Sequence, residues 1–274
     1  MTHWTVFRFL SAKALVAGLG LALLTGCFFD EKKINEDEEI SLSEAETETA
    51  ASPDSLNSVP GNVAFGQVAS RPHRVVLTGL PGHRLVTVYK VKPEKKEGEQ
   101  GVVDQVRSYA WSGYEGEYEG GQEHFMPGLD ILYGHNLLNI AHYDLQAEKL
   151  GFWFKRPVLV RNVYYPSYEP DSLDCKPVVR DYFLVSAYDQ DTNQDSLINR
   201  RDLRRFYHLR VGAQPTALVP ANYSVLRSQY DPANDAMYVF AQLDANQNGT
   251  AERAEPIHVF WISLKAPAPA KRLY

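Results

Sequence analysis

Cysteine is nearly absent from this chain: it has two in 274 residues, Cys27 and Cys175. If one is committed elsewhere, no intrachain disulfide can form, and stability must come from a packed core or from bound metal. No long stretch keeps the 3.6-residue apolar period of an amphipathic helix, which excludes a helical bundle. The chain has no HExxH, no GxSxG and no GxxxxGK, so zinc-peptidase, serine-hydrolase and P-loop chemistries are all unsupported. Arg and Lys are dispersed and balanced by acids, so no nucleic-acid face is expected. Even the densest basic stretch, "NRRDLRR", sits beside Asp195 and Asp202 as a local ion-pair patch.

The N-terminus holds the one sustained apolar run, Ala14 to Leu24, behind the basic residues Arg8 and Lys13. That length is too short for a spanning helix and reads as an export signal. The run ends in Leu24-Thr25-Gly26-Cys27, which resembles the lipobox of bacterial lipoproteins. The resemblance implies cleavage before Cys27, lipid on that sulfur and a membrane anchor; several acyl chains at about 0.8 kcal/mol per CH₂ make it effectively permanent. The residue after the cysteine is Phe28 rather than the Asp that favours inner-membrane retention in this family. The expected location is the bacterial cell envelope, with the outer membrane favoured over the inner.

Charge is concentrated behind that cysteine. From Asp30 to Pro60 there are ten acidic residues against two lysines, and the body beyond carries 24 residues of each sign. The acidic stretch has little apolar content to offset the entropy of ordering it. The organisation read from the sequence is a signal peptide at 1–26, a lipidated disordered acidic tether at 27–60 and a folded domain at 61–274.

That domain reads as all-β. "HRVVLTGL", "RLVTVYKV", "LLNIAHYDL", "LGFWF", "PVLVRNVYY", "YFLVSAY", "AMYVFAQL" and "IHVFWISL" are short β-rich runs separated by Pro, Gly, Asn or Asp. The chain also repeats itself at a step of 53, which sets Asp191 over Asp244 and places Tyr207, Leu209 and Val211 on Phe260, Ile262 and Leu264. The two copies span about 178–220 and 221–274, and a weaker one, without a polar loop, covers 128–154. Repeats of this length are the mark of blade-like architectures. The layout resembles TolB-like and WD40-like repeat proteins, which implies a small or incomplete β-propeller. The alternative is a β-sandwich built by duplication.

Each copy carries a loop rich in side-chain oxygen. Calcium takes six to eight oxygens, and a twelve-residue loop supplies them from positions 1, 3, 5, 7 (a carbonyl), 9 and 12, with Gly at 6 for the turn. "DANQNGTAERAE" offers Asp244, Asn246, Asn248, the Thr250 carbonyl, Glu252 and Glu255, with Gly249 at position 6. "DTNQDSLINRRD" offers Asp191, Asn193, Asp195, the Leu197 carbonyl, Asn199 and Asp202, with Ser196 at position 6. Both resemble EF-hand and dockerin calcium loops. Pro256, directly after position 12, disfavours a helix there, so the expected unit is strand–loop–strand. Ser196 forced to positive φ costs roughly 1 kcal/mol, and Asp202 is shorter than Glu. The loop at 244–255 is therefore expected to be the tighter of two structural Ca²⁺ sites.

Two other groups carry residue types that bear on chemistry. His135 and His142 point to opposite faces of a strand and do not share a metal. Trp111, Tyr114 and Tyr118, interleaved with Glu117, Glu119 and Glu123, offer aromatic faces and acceptors to a glycan. The sequence therefore reads as a non-catalytic envelope lipoprotein whose calcium-stabilised β-repeat domain is a binding module. Its partners would be the membrane, through Cys27, and an envelope protein or glycan. The alternative is a glycan-binding or glycan-active protein using the loop at 109–125.

Overall fold

Sixteen strands account for nearly all the regular structure of the computed structural model, which describes residues 39–42, 68, 70–90 and 126–274. In chain order they are β1 (Ile40–Ser41), β2 (Ser70–Leu77), β3 (His83–Lys90), β4 (Leu129–Asp144), β5 (Lys149–Phe152), β6 (Leu159–Pro166), β7 (Asp171–Leu173) and β8 (Lys176–Val178). Then come β9 (Phe183–Tyr188), β10 (Leu197–Ile198), β11 (Arg205–Leu209), β12 (Thr216–Ala217), β13 (Tyr223–Asp231), β14 (Ala236–Leu243), β15 (Ile257–Ser263) and β16 (Lys271–Arg272). The domain is all-β, as its alternating sequence requires. No helix among the described residues is long and apolar enough to cross a membrane.

Two sheets carry the architecture. One runs β12-β11-β9-β6-β4-β3-β2, with β5 on the second half of β4, and the other runs β13-β14-β15-β16. Neither closes into a barrel. The internal repeat is visible as two meanders of the same connectivity, β6-β9-β11-β12 and β13-β14-β15-β16, each with its polar loop between the second and third strands. The first meander continues past β6 into β4, β3 and β2, so it is part of a larger sheet rather than a free four-stranded blade. Residues 128–154 add β4 and β5 to that sheet and form no meander of their own.

The alignment of the copies needs one correction. Before the loops the step is 53, since β9 starts at Phe183 and β14 at Ala236. After them it is 54. Phe206 and Phe260 both lie in the core between the sheets, whereas Leu209 packs on the opposite face and Val211 is 37% exposed. The second copy has one more residue between position 12 and the core phenylalanine, five steps from Glu255 to Phe260 against four from Asp202 to Phe206, and in a period-two element one residue exchanges the faces.

The inter-sheet core joins Tyr164, Tyr182, Leu184 and Phe206 of the first sheet to Met237, Val239, Phe260 and Ile262 of the second. Each fully buried side chain of this kind contributes about 1.5–3 kcal/mol. Arg180 pins the sheets together from within: its guanidinium donates to both carboxylate oxygens of Asp235, at 3.0 and 2.7 Å, and to the carbonyls of Leu264 (2.8 Å) and Pro127 (3.1 Å). The Tyr182 hydroxyl donates to the same Leu264 carbonyl at 2.6 Å.

The other face of the large sheet is covered by its own far end. β4 pairs with β6 through Leu129–Tyr133 and with β3 through Leu137–Asp144, and its register with β6 breaks between Tyr133 and Leu137. Asn136 takes φ 53 at the break, and a Cβ on Gly134 would collide with the Val160 carbonyl. The sheet therefore curls, and Val76, Leu85 and Ile140 meet Val163, Phe183 and Val185 in a second core.

A third cluster contains a segment of the stretch read as a disordered tether. Ile40 is 0% exposed and packs with Val68, Leu138, Leu159, Tyr188 and Ile198. β1 pairs with β10 (Ile40↔Ile198, Ser41↔Leu197), and the Lys90 Nζ donates to the Glu39 carbonyl at 2.8 Å. The rest of 27–60 lies outside the described residues. Burying Ile40 contributes about 2–3 kcal/mol, and each hydrogen bond about 0.5–1.5 kcal/mol. Ordering four residues costs about 1–2 kcal/mol apiece. These terms nearly cancel, so the docking of 39–42 is finely balanced.

Candidate functional site: two interlocked oxygen-rich loops

Loop 1 (Asp191–Asp202) joins β9 to β11 and contains β10; loop 2 (Asp244–Glu255) joins β14 to β15. Neither is flanked by a helix, as the strand–loop–strand reading anticipated. The two loops fold by the same internal code. Position 1 accepts the main-chain N–H groups of positions 5 and 6: Asp191 takes Asp195 at 3.1 Å and Ser196 at 2.9 Å, and Asp244 takes Asn248 at 3.1 Å and Gly249 at 3.0 Å. The position 3 oxygen accepts the N–H of position 5, from Asn193 at 3.1 Å and Asn246 at 3.0 Å. Position 5 accepts the N–H of position 7, Asp195 from Leu197 at 3.0 Å and Asn248 from Thr250 at 2.9 Å.

Position 12 closes each loop. Asp202 accepts the N–H groups of Thr192 (2.7 Å) and Asn199 (2.8 Å), at positions 2 and 9; Glu255 accepts those of Ala245 (2.8 Å) and Glu252 (2.9 Å), at the same two positions. Positions 4 and 6 are left-handed in both loops: Gln194 has φ 61, Ser196 φ 68, Gln247 φ 59 and Gly249 φ 75. Ser196 thus occupies a conformation that glycine holds without strain.

Position 12 differs in its electrostatics. Asp202 is 2% exposed, and burial raises its pKa against the opposing effect of the N–H groups it accepts. In loop 2 the N–H groups of Glu252 and Ala245 hold the Glu255 carboxyl below the usual range. Position 9 differs as well. Asn199 is buried and its side-chain oxygen takes the Arg201 N–H at 2.7 Å, whereas Glu252 gathers the side-chain amides of Asn248 (2.6 Å) and Asn246 (3.4 Å).

The loops also touch each other. The Thr192 hydroxyl donates to the Gly249 carbonyl at 2.6 Å and accepts the Leu203 N–H at 2.9 Å. Gly249 lies directly against the Thr192–Asn193 backbone, where a Cβ would collide. The glycine of loop 2 is thus demanded twice, by its φ and by its neighbour. Thr192 and Gln242, whose amide donates to the Glu252 and Glu255 carbonyls, were not marked in the sequence. Neither occupies a ligand position, so no metal-loop pattern could have found them.

The donor chemistry suits a hard cation: an acceptor oxygen has two lone pairs and can take an N–H and an ion at once. Among the described residues, no group of three or more His, Cys, Asp and Glu side chains is gathered as a metal set. The oxygens collected in each loop mix carboxylates with asparagine and main-chain groups. They fit calcium by type, with Asp191, Asn193, Asp195, Leu197, Asn199 and Asp202 in loop 1 and Asp244, Asn246, Asn248, Thr250, Glu252 and Glu255 in loop 2 as its would-be ligands.

Elsewhere, His142 meets His83 across β3 and β4, with Nε2 and Nδ1 3.1 Å apart. On the outward face of the second sheet, Tyr238 and Trp261 are opposite each other, and Arg227 already covers the Phe240 ring at 3.6 Å. Cys27 and the aromatic residues Trp111, Tyr114 and Tyr118 lie outside the described residues. No protein-family model matches the chain, and no curated protein matches it in sequence.

Proposed function

We propose that this protein is a non-catalytic envelope lipoprotein, anchored through Cys27, whose β domain is a docking module held in shape by two calcium ions. The observation that carries the reading is the position-by-position identity of the internal hydrogen bonds in the two loops. Loops that merely turn the chain have no reason to repeat the same pattern at positions 1, 3, 5 and 12. In this reading the ions act as clips. Each sits in a loop that joins two neighbouring strands of one sheet, and the contact between Thr192 and Gly249 makes the pair one unit. Loop 2 is the tighter site, because Glu255 reaches further than Asp202 and Gly249, unlike Ser196, holds its left-handed position without strain. The partner is another envelope component, a protein or a glycan; nucleic acid has no place in the reading.

The test is thermal melting of the full-length chain in detergent, with 10 mM calcium and with EDTA. A site with Kd of about 10⁻⁴ M gains about 2.7 kcal/mol at that concentration, and a domain this size moves about 2–4 °C per kcal/mol. The expected rise is about 5–10 °C for one such site and about twice that with both occupied. Identical melts in calcium and in EDTA overturn the reading.

A further inference from the structure

Among the described residues β1 pairs with β10 of loop 1 alone, and it does so at positions 7 and 8 of the loop. The Leu42 N–H donates to the Ser196 carbonyl at 3.0 Å. Alternation along a strand then turns the N–H and carbonyl of Leu197 to the opposite edge. The Leu197 N–H duly donates to Asp195 Oδ1, inside the loop, at 3.0 Å. One edge of Ser196–Ile198 therefore serves the N-terminal segment while the other faces the would-be ion. Ile198, 1% exposed, supplies the apolar floor on which Ile40 sits. Loop 2 has no counterpart, since Thr250–Ala251 at its positions 7 and 8 form no strand.

We propose that loop 1 and residues 39–42 form an ion-dependent latch: a divalent cation that fixes Leu197 on one edge holds Ile40–Ser41 on the other, and so sets the working length of the leash. The inference rests on the calcium reading of loop 1 and on the lipid at Cys27. With the latch closed, Glu39 lies twelve residue steps beyond Cys27, which span at most about 40 Å when extended. With it open, the next described residue is Val68 and the maximum becomes about 140 Å. Calcium would then hold the domain close to its membrane, and calcium loss would let it reach out. The balance of terms at Ile40 is what makes the device responsive, because a segment held by a large surplus would not answer to one ion.

The experiment is hydrogen exchange, followed by mass spectrometry, on the full-length lipidated chain in detergent, with calcium alone as the ligand and the peptide spanning Leu42 as the readout. Calcium is expected to slow exchange at Leu42 about tenfold. By reciprocity, Ile40→Asn should weaken one of the two calcium sites by about the same factor and leave the other unchanged. That effect should vanish in an Asp191→Ala background and persist in Asp244→Ala. Leu42→Pro, which removes the donor to Ser196 together with the side chain packed beside Ile40, should act in the same direction. If calcium binds both loops while Leu42 exchanges at the same rate and Ile40→Asn changes neither affinity, the latch is wrong and the calcium reading stands. If neither loop binds calcium, both fall.

Discussion

The Gly249 carbonyl accepts the hydroxyl of Thr192, 57 residues away in sequence on the other loop, at 2.6 Å, and the glycine itself has no room for a side chain there. The repeat is therefore not two independent hairpins; the second is fitted to the backbone of the first.

Position 6 of the two loops should respond oppositely to substitution. Gly249→Ala forces a Cβ into the Thr192 backbone at φ 75, and should cost about 2–4 kcal/mol from strain and overpacking together. Ser196→Gly relieves a left-handed serine at φ 68 and should gain about 0.5–1 kcal/mol. Urea titration of the two variants checks both signs; a stable Gly249→Ala protein would show that the loops are not pressed together.

Removing position 1 should separate the structural from the ionic role of the loops. Asp191→Ala and Asp244→Ala each strip the acceptor from two main-chain N–H groups, so each should lower stability in EDTA by about 1.5–3 kcal/mol. Each should also remove part of the calcium-induced rise in Tm, with Asp244→Ala removing the larger part. Equal rises in the wild type and in both variants would show that the stabilising ion binds elsewhere.

Asp235 is the residue whose loss the inter-sheet core should tolerate least. Both side chains of the Arg180–Asp235 pair are 4% exposed, so Asp235→Ala leaves a guanidinium in the interior with no counter-charge, at a cost of about 3–5 kcal/mol. The double variant Arg180→Met/Asp235→Ala should recover part of that loss. Chemical denaturation of the single and double variants decides it, and additive losses would mean that the pair acts as two separate groups.

Stability should also fall with mild acidification. His142 has its pKa lowered from 6.5, first by burial and then by His83, with Asp144 opposing; His208 is lowered by burial and by Arg210. A histidine with a depressed folded pKa binds fewer protons than its unfolded counterpart in the window below 6.5. Its contribution is complete above that pH and is lost as pH falls toward the folded value. Asp144, held low by the Ala147 and Gln146 N–H groups, and Asp231, held low by Asn234, lose their contribution only at lower pH. The urea midpoint should therefore drop between pH 7.5 and 5.5, and His142→Gln should flatten the drop. An unaltered slope in both His142→Gln and His208→Gln would clear these residues.

Much of the architecture was legible in single runs. "AMYVFAQL" holds β14 and "IHVFWISL" holds β15 because short runs rich in β-branched and aromatic residues suit a strand buried on one face and partly covered on the other. β13 was missed: its outward residues Arg227 and Gln229 and its register break between Val225 and Arg227 hide the period. The face-exchanging residue after Glu255 was also invisible, since both alignments place a plausible apolar residue at each position. Ile40 and Leu42 did alternate with serines, but the surrounding acids dominated the composition. What no local pattern could reveal was which distant backbone would press on Gly249, or that His142 would meet His83.

Sheets that never close leave free borders, and several borders among the described residues are unattractive to a neighbouring molecule. β2 carries Arg71, Pro72 and Arg74 and a register break beside them; β12 and β16 are two residues each. The outer rim of β13 is capped by the Arg204 guanidinium on the Val225 and Leu226 carbonyls. Short, charged or plugged rims are how unclosed sheets resist growing into aggregates, and that resistance lets identical copies crowd together without fusing.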